Sequence, residues 1–163
     1  MKYSHTFAFF FVLLSLAANS QNIEDSVKGE DMFVKTDFLI LLSTKDYKSA
    51  LATAKKASAS MSMKLDLRDL EENKQTGLTF SKADCEKEDI DYPAYYARGR
   101  DDGIFISIEY SDAYKEFVKG YYIVVAGCGE RQDPDMQKAY KKVKAAYKDA
   151  YFKSSKVYMG CMH

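Results

Sequence analysis

Two apolar runs of matching pattern, each leading into an amphipathic segment, set the strongest limit on what this chain can fold into. The first reads Phe33-Val34-Lys35-Thr36-Asp37-Phe38-Leu39-Ile40-Leu41-Leu42. It is answered 84 residues later by Phe117-Val118-Lys119-Gly120-Tyr121-Tyr122-Ile123-Val124-Val125-Ala126. Short, nearly continuous apolar runs of this kind are what strands buried on both faces look like. After the first run, Tyr47, Ala50, Leu51, Ala54, Ala57 and Met61 recur at spacings of three and four, which predicts a helix with one buried stripe. After the second, Asp133-Pro134 is a helix start: the carboxylate can accept from free backbone amides, and proline is tolerated in the first turn. Met136, Ala139, Tyr140, Val143, Tyr147, Ala150 and Tyr151 then make the second stripe, with lysines covering much of the rest.

Each helix is followed by a segment with strand character, Lys64 to Arg68 and Lys156 to Gly160, so the plan reads strand-helix-strand twice. Between the halves lies an irregular insert, 69–102, with ten acids and five bases. Beyond it, Ile104, Ile106, Ile108 and Tyr110 alternate with other residues as the inward face of one extra, half-buried strand. The expected fold class is α+β, a two-layer sandwich of two βαβ units, with an extra strand and the acidic insert. With 163 residues and 47% hydrophobic side chains, the chain suffices for one domain, expected over residues 21–163. Its 24 basic and 24 acidic residues argue against a general nucleic-acid binder, which needs a basic excess.

The first twenty residues read as an export signal. Lys2 precedes an apolar run from Phe7 to Ala18, and Ala18-Asn19-Ser20 supplies the small residues expected before a cut after Ser20. That run is shorter than the roughly 20 residues needed to cross a bilayer, and no later run is longer, so no membrane insertion is expected. Export places the protein in the periplasm or outside the cell, where disulfides persist. Cys85, Cys128 and Cys161 allow one internal bridge and leave one thiol over. Cys128 and Cys161 each follow an expected strand, which singles out that pair, although the sequence does not test its geometry.

The segment Gly120-Tyr121-Tyr122-Ile123-Val124-Val125-Ala126-Gly127 resembles the opening strand of the sporulation-related repeat (SPOR) family, an aromatic-apolar strand ending in a small-residue turn. The alanine-rich helix after it and the closing Val157-Tyr158-Met159-Gly160 are similar to that family too, and Leu39 to Thr44 with the first helix is a fainter echo. The resemblance covers about half the chain beyond the signal. It implies a ferredoxin-like fold and binding of peptidoglycan glycan strands stripped of their stem peptides, with Tyr121 and Tyr122 as contacts. The long insert departs from the family's compact pattern.

Enzyme chemistry is not expected. The only histidines are His5, inside the signal, and His163, at the chain end, so a Ser-His-Asp or Cys-His arrangement lacks a base. Glu71-Glu72, Glu86 to Asp91 and Asp101-Asp102 read as solvated loop charge. The segment from Asp84 to Asp91 lacks the spacing and glycine of a calcium loop, and Gly127-Cys128-Gly129 lacks the rest of a dinucleotide fingerprint. Neither a metal nor another cofactor is expected. Tyrosine is the informative excess, with 13 Tyr and no Trp. Tyr92, Tyr95 and Tyr96 stand just before Arg98 and Arg100, and amphipathic rings beside charged donors suit a sugar polymer or a protein partner. The expected function is an exported, non-enzymatic binding domain for envelope glycan or another envelope polymer. Its ligand contacts are Tyr92, Tyr95, Tyr96, Arg98, Arg100, Tyr121 and Tyr122. The alternative is a secreted protein-interaction partner of inhibitor or immunity type. The sequence leaves the oligomeric state open.

Overall fold

A strand that is apolar on both faces needs a cover on both sides, and both apolar runs find one. The computed structural model describes residues 32–100 and 103–160. β1 (Phe33–Thr44) leads into α1 (Tyr47–Met61), which opens where the Asp46 carboxylate accepts from the Ser49 amide at 3.0 Å. Then come a short hairpin of β2 (Glu71–Asn73) and β3 (Gly77–Thr79), the one-turn helix α2 (Lys82–Lys87), and a 3-10 turn at Arg98–Arg100. β4 (Ser107–Tyr110) and β5 (Tyr122–Gly129) follow. α3 (Pro134–Ala146) is capped by Asp133, which accepts from the amides of Asp135 and Met136, and β6 (Tyr151–Tyr158) closes the described chain.

The main sheet is four-stranded and antiparallel throughout, in the order β4-β5-β1-β6. Both long helices lie on one face. Ala50, Ala54 and Ala57 of α1 and Met136, Ala139 and Val143 of α3 pack on Leu39, Leu41, Ile106, Ile108, Val124 and Ala126. The residues that α1 turns to the sheet are mostly alanines, all fully buried. The opposite face carries Phe38, Ile40, Ile123, Val125, Cys128 and Val157, and is closed by Tyr114 and Phe117 from the segment after β4. The Phe38 ring meets Tyr114 edge-on at 4.9 Å and Phe117 at 5.6 Å. Full burial of β5 from Tyr122 to Cys128 follows from this double cover.

Three expectations need correction. Residues 64–68 form no strand: Leu65 makes a single parallel bridge to Ile106, held by Ile106 N–H to Lys64 O (2.7 Å) and Asp66 N–H to Ile106 O (2.8 Å). The supposed extra strand, β4, takes the place expected for residues 64–68 and pairs with β5 on the side away from β1. The acidic segment therefore lies inside the first strand-helix-strand path, between α1 and β4, and it carries its own hairpin and helix. Secondly, α3 stops at Ala146, so Ala150 and Tyr151 leave the helical stripe. The Ala150 amide bonds to Tyr147 O in a tight turn, the Lys144 ammonium caps Ala150 O at 2.8 Å, and β6 begins at once. Thirdly, Phe117-Val118-Lys119 is not strand. Gly120, at φ +81°, turns the chain there, with its amide on Asp112 Oδ1 at 2.7 Å, and β5 starts two residues later.

Candidate functional site

The sequence-selected residues do not form one surface. Tyr121 and Tyr122 are neighbours at the start of β5, and strand alternation sends them to opposite faces. Tyr122 goes to the helix side and is 6% exposed. There it joins a row of rings: Tyr47 and Tyr122 at 5.3 Å, Tyr122 and Tyr110 at 5.1 Å, Tyr110 and Tyr95 stacked at 5.8 Å. The Tyr95 hydroxyl donates to Thr76 O at 3.0 Å, and the Tyr92 hydroxyl lies 3.2 Å from Thr76 Oγ1. These tyrosines fasten the β2–β3 hairpin to the end of the sheet, so their rings are largely spent on packing. Tyr96 meets Phe80 edge-on and lies under the Arg68 guanidinium at 4.3 Å.

Burial pushes the Tyr122 phenol up to about 12, with Glu72 beside it adding to the rise; Tyr47, Tyr95 and Tyr110 are also raised, chiefly by burial. The folded state thus holds the Tyr122 proton more tightly than the unfolded chain, whose phenols titrate near 10. That stabilisation is complete below about pH 10 and is lost as pH climbs through about 12. The melting temperature is therefore expected to fall over this window, in step with tyrosinate absorbance, and Tyr122→Phe should flatten part of the fall. An unchanged profile in Tyr122→Phe would show that another group governs it.

Arg98, expected at a binding surface, is instead 0% exposed. Its guanidinium lies over the Phe105 ring at 3.6 Å and donates to Ser107 Oγ (2.9 Å) and Gly103 O (3.0 Å). The Ser107 hydroxyl in turn donates to Glu109 Oε1 (2.6 Å), and Tyr114 Oη donates to Glu109 Oε2 (2.8 Å) while accepting from the Arg98 amide (2.9 Å). Arg68 completes the cluster with an ion pair to Glu109. One buried carboxylate thus serves two guanidiniums. Desolvation lowers the Arg98 pKa, opposed by Glu109, and burial with Glu109 alongside raises that of Tyr114. The network joins α1's exit loop, the 3-10 turn and β4, and it shapes the fold rather than a surface. The expected pattern had Ser107 and Glu109 on the exposed side of a half-buried strand. They are buried because the chain before and after β4 covers that side. Arg100 ends the 3-10 turn; its side chain lies outside the described residues, as do Cys161 and the segment read as an export signal. The expected partner of Cys161, Cys128, is buried on the second face.

Tyr121 has a different setting. It lines a concavity of about 190 Å³ on the sheet face away from the helices, together with Ile40, Ser43, Phe117, Val118, Ile123, Tyr151 and Lys153. Val118 is 70% and Tyr151 43% exposed at its rim. Two ammonium groups stand over its rings, Lys45 Nζ at 5.3 Å from Tyr121 and Lys153 Nζ at 4.8 Å from Phe117. The groove exists because Gly120 turns the chain, leaving Phe117 as its floor and Val118 at its lip. Lys45, Phe117, Val118, Tyr151 and Lys153 escaped the sequence reading. Lys45, Tyr151 and Lys153 stand at the ends of β1 and β6, and Phe117 and Val118 lie in the segment that leads into β5; the antiparallel order brings these together and the linear sequence does not.

Ring faces, hydroxyls and two ammonium groups thus meet at one concavity; among the described residues, no three of His, Cys, Asp or Glu converge as metal ligands. No helix among the described residues is long and apolar enough to cross a membrane. Comparisons with protein-family models, with curated proteins and with solved structures found no match.

Proposed function

We propose that the protein is an exported, non-enzymatic binding domain of ferredoxin-like fold that lays a peptidoglycan glycan strand, or another polymer of the cell envelope, across the Tyr121 groove. The fold reading is supported by the strand order β4-β5-β1-β6, in which β1 and β4, joined through α1, flank β5. The single observation that carries the function is the groove itself: Tyr121 and Tyr151 line it above the buried Phe117, with Lys45 and Lys153 as donors beside them. At about 190 Å³ it is smaller than the roughly 300–1,000 Å³ of sites that engulf small molecules, so it suits one unit of a strand that continues past both ends. Rigid rings with a polar edge bind such a ligand at low entropic cost.

Co-sedimentation of the chain from Gln21 onward with intact and with amidase-stripped sacculi tests the reading. Pelleting should rise sharply with stripped glycan. Tyr121→Ala and Tyr151→Ala should each weaken it about tenfold, worth roughly 1.4 kcal/mol, and Tyr151→Ala should leave the melting temperature unchanged. Pelleting that ignores both substitutions would remove the groove from the account. A protein partner of inhibitor type is the second reading, favoured by Val118, an apolar side chain exposed at the rim with nothing polar for a sugar to use. It predicts a stoichiometric protein complex that Val118→Asp abolishes.

A further inference from the structure

The two long helices share one layer, and the charged side chains on their outward faces are almost all basic. Lys48, Lys55 and Lys56 on α1 and Lys138, Lys141 and Lys142 on α3 are all exposed, and Asp135 is the one acid within either helix. None of these six lysines enters an ion pair among the described residues. Lys144, the seventh, is turned aside to cap Ala150 O. An ordinary solvated helix interleaves acids at i+4 to gain from pairing. Here Lys138 stands at i, i+3 and i+4 to Lys141 and Lys142, a like-charge spacing that works against the helix. Nothing in the fold draws on that charge, since the buried stripes of both helices are apolar. Most of the exposed acids lie elsewhere: Glu71, Glu72, Asp84, Glu86, Glu88, Asp89 and Asp91 are exposed on the segment between α1 and β4, while those near the layer, Asp46, Asp133, Asp135 and Asp149, stand at or just beyond the helix ends. A molecule of zero net charge therefore presents a layer whose middle turns carry only positive charge.

We infer that this helix layer is a second binding surface, separate from the Tyr121 groove, and that it takes a linear polyanion whose charges are phosphates in a chain without bases. The choice follows from what the layer lacks. The large apolar side chains exposed among the described residues lie outside both helices, so the layer has no wedge for a bilayer. The helix aromatics Tyr47 and Tyr140 are paired inward, with Tyr122 and Phe152, so no ring platform awaits a nucleobase. What remains is a set of ammonium groups on flexible stems, suited to point charges along a flexible chain, with counterion release as the driving force.

The test is binding of the full chain to long-chain inorganic polyphosphate across a salt series. Six engaged lysines predict a slope of log K against log salt of about −4. The triple variant K138Q/K141Q/K142Q should reduce that slope by about 2 and weaken binding at least tenfold at low salt, about 1.4 kcal/mol or more. Its melting temperature should hold or rise, because like-charge repulsion within α3 is relieved. A merely structural role for these lysines would lower stability instead. Lys74→Gln with Lys87→Gln, outside the layer, should leave binding unchanged. Binding that the triple variant does not alter would overturn the assignment. So would tighter binding to single-stranded DNA or to anionic vesicles at equal phosphate.

Discussion

Glu109→Ala is expected to destabilise the protein by about 3–5 kcal/mol, the cost of breaking a buried ion pair and leaving its partners uncompensated. Glu109 is 1% exposed and accepts from Ser107, Tyr114 and Arg68, while Arg98 reaches it through the first two. Removing the carboxylate strands two guanidiniums in a nearly dry site, where the Nε atoms of Arg68 and Arg98 already have no hydrogen-bond partner among the described residues. Against a total stability on the order of 5–15 kcal/mol, a loss of that size brings the chain close to unfolding at room temperature. Urea denaturation measures it directly. Glu109→Gln keeps the shape and one acceptor but loses the charge, and should fall between wild type and alanine. A loss below about 1 kcal/mol in Glu109→Ala would mean that water already solvates the guanidiniums.

Gly77→Ala is expected to cost about 2–5 kcal/mol, from two sources that act together. Gly77 has φ +79°, a conformation side chains resist, and a Cβ there would sit 2.1 Å from Cζ of Tyr110. The ring cannot step aside freely, because it lies between Tyr95 and Tyr122 in the row that fastens the hairpin. Thermal melting of Gly77→Ala, of Tyr110→Ala and of the double variant separates the two sources. The double variant should be markedly less destabilised than the sum of the singles, since only the backbone strain survives removal of the ring. Simple additivity would show that the two positions do not meet.

These two sites differ in how they could be read from sequence. A glycine such as Gly77 favours a turn by its residue type alone, but its contact with Tyr110 spans 33 residues of chain and has no local signature. Glu109 lies in a strand whose strict alternation is that of a half-buried strand, with its polar residues facing water. The alternation was right and the exposure was wrong, because alternation reports that two faces differ and says nothing about what covers each. The pair of Phe-Val-Lys tripeptides makes the same point. Phe33 to Lys35 lie in β1, whereas Phe117 to Lys119 lie outside any strand, and the difference traces to Gly120 and its bond to Asp112.

The sequence by itself determined the parts that depend on neighbours within a few residues: β1, α1, β5 and α3, the cap at Asp133, and the α+β class. Helical and strand periodicities and capping chemistry are local, so they survive without knowledge of the fold. Tertiary structure alone decided which strand flanks β5 opposite β1, that Arg98 turns into the core while Tyr121 lines the groove, and that Phe117, Tyr121 and Tyr151 share that groove at all. Those outcomes depend on strand order and on which segment crosses which face of the sheet. Contacts between distant segments decide both, through desolvation and packing that no short window of sequence records.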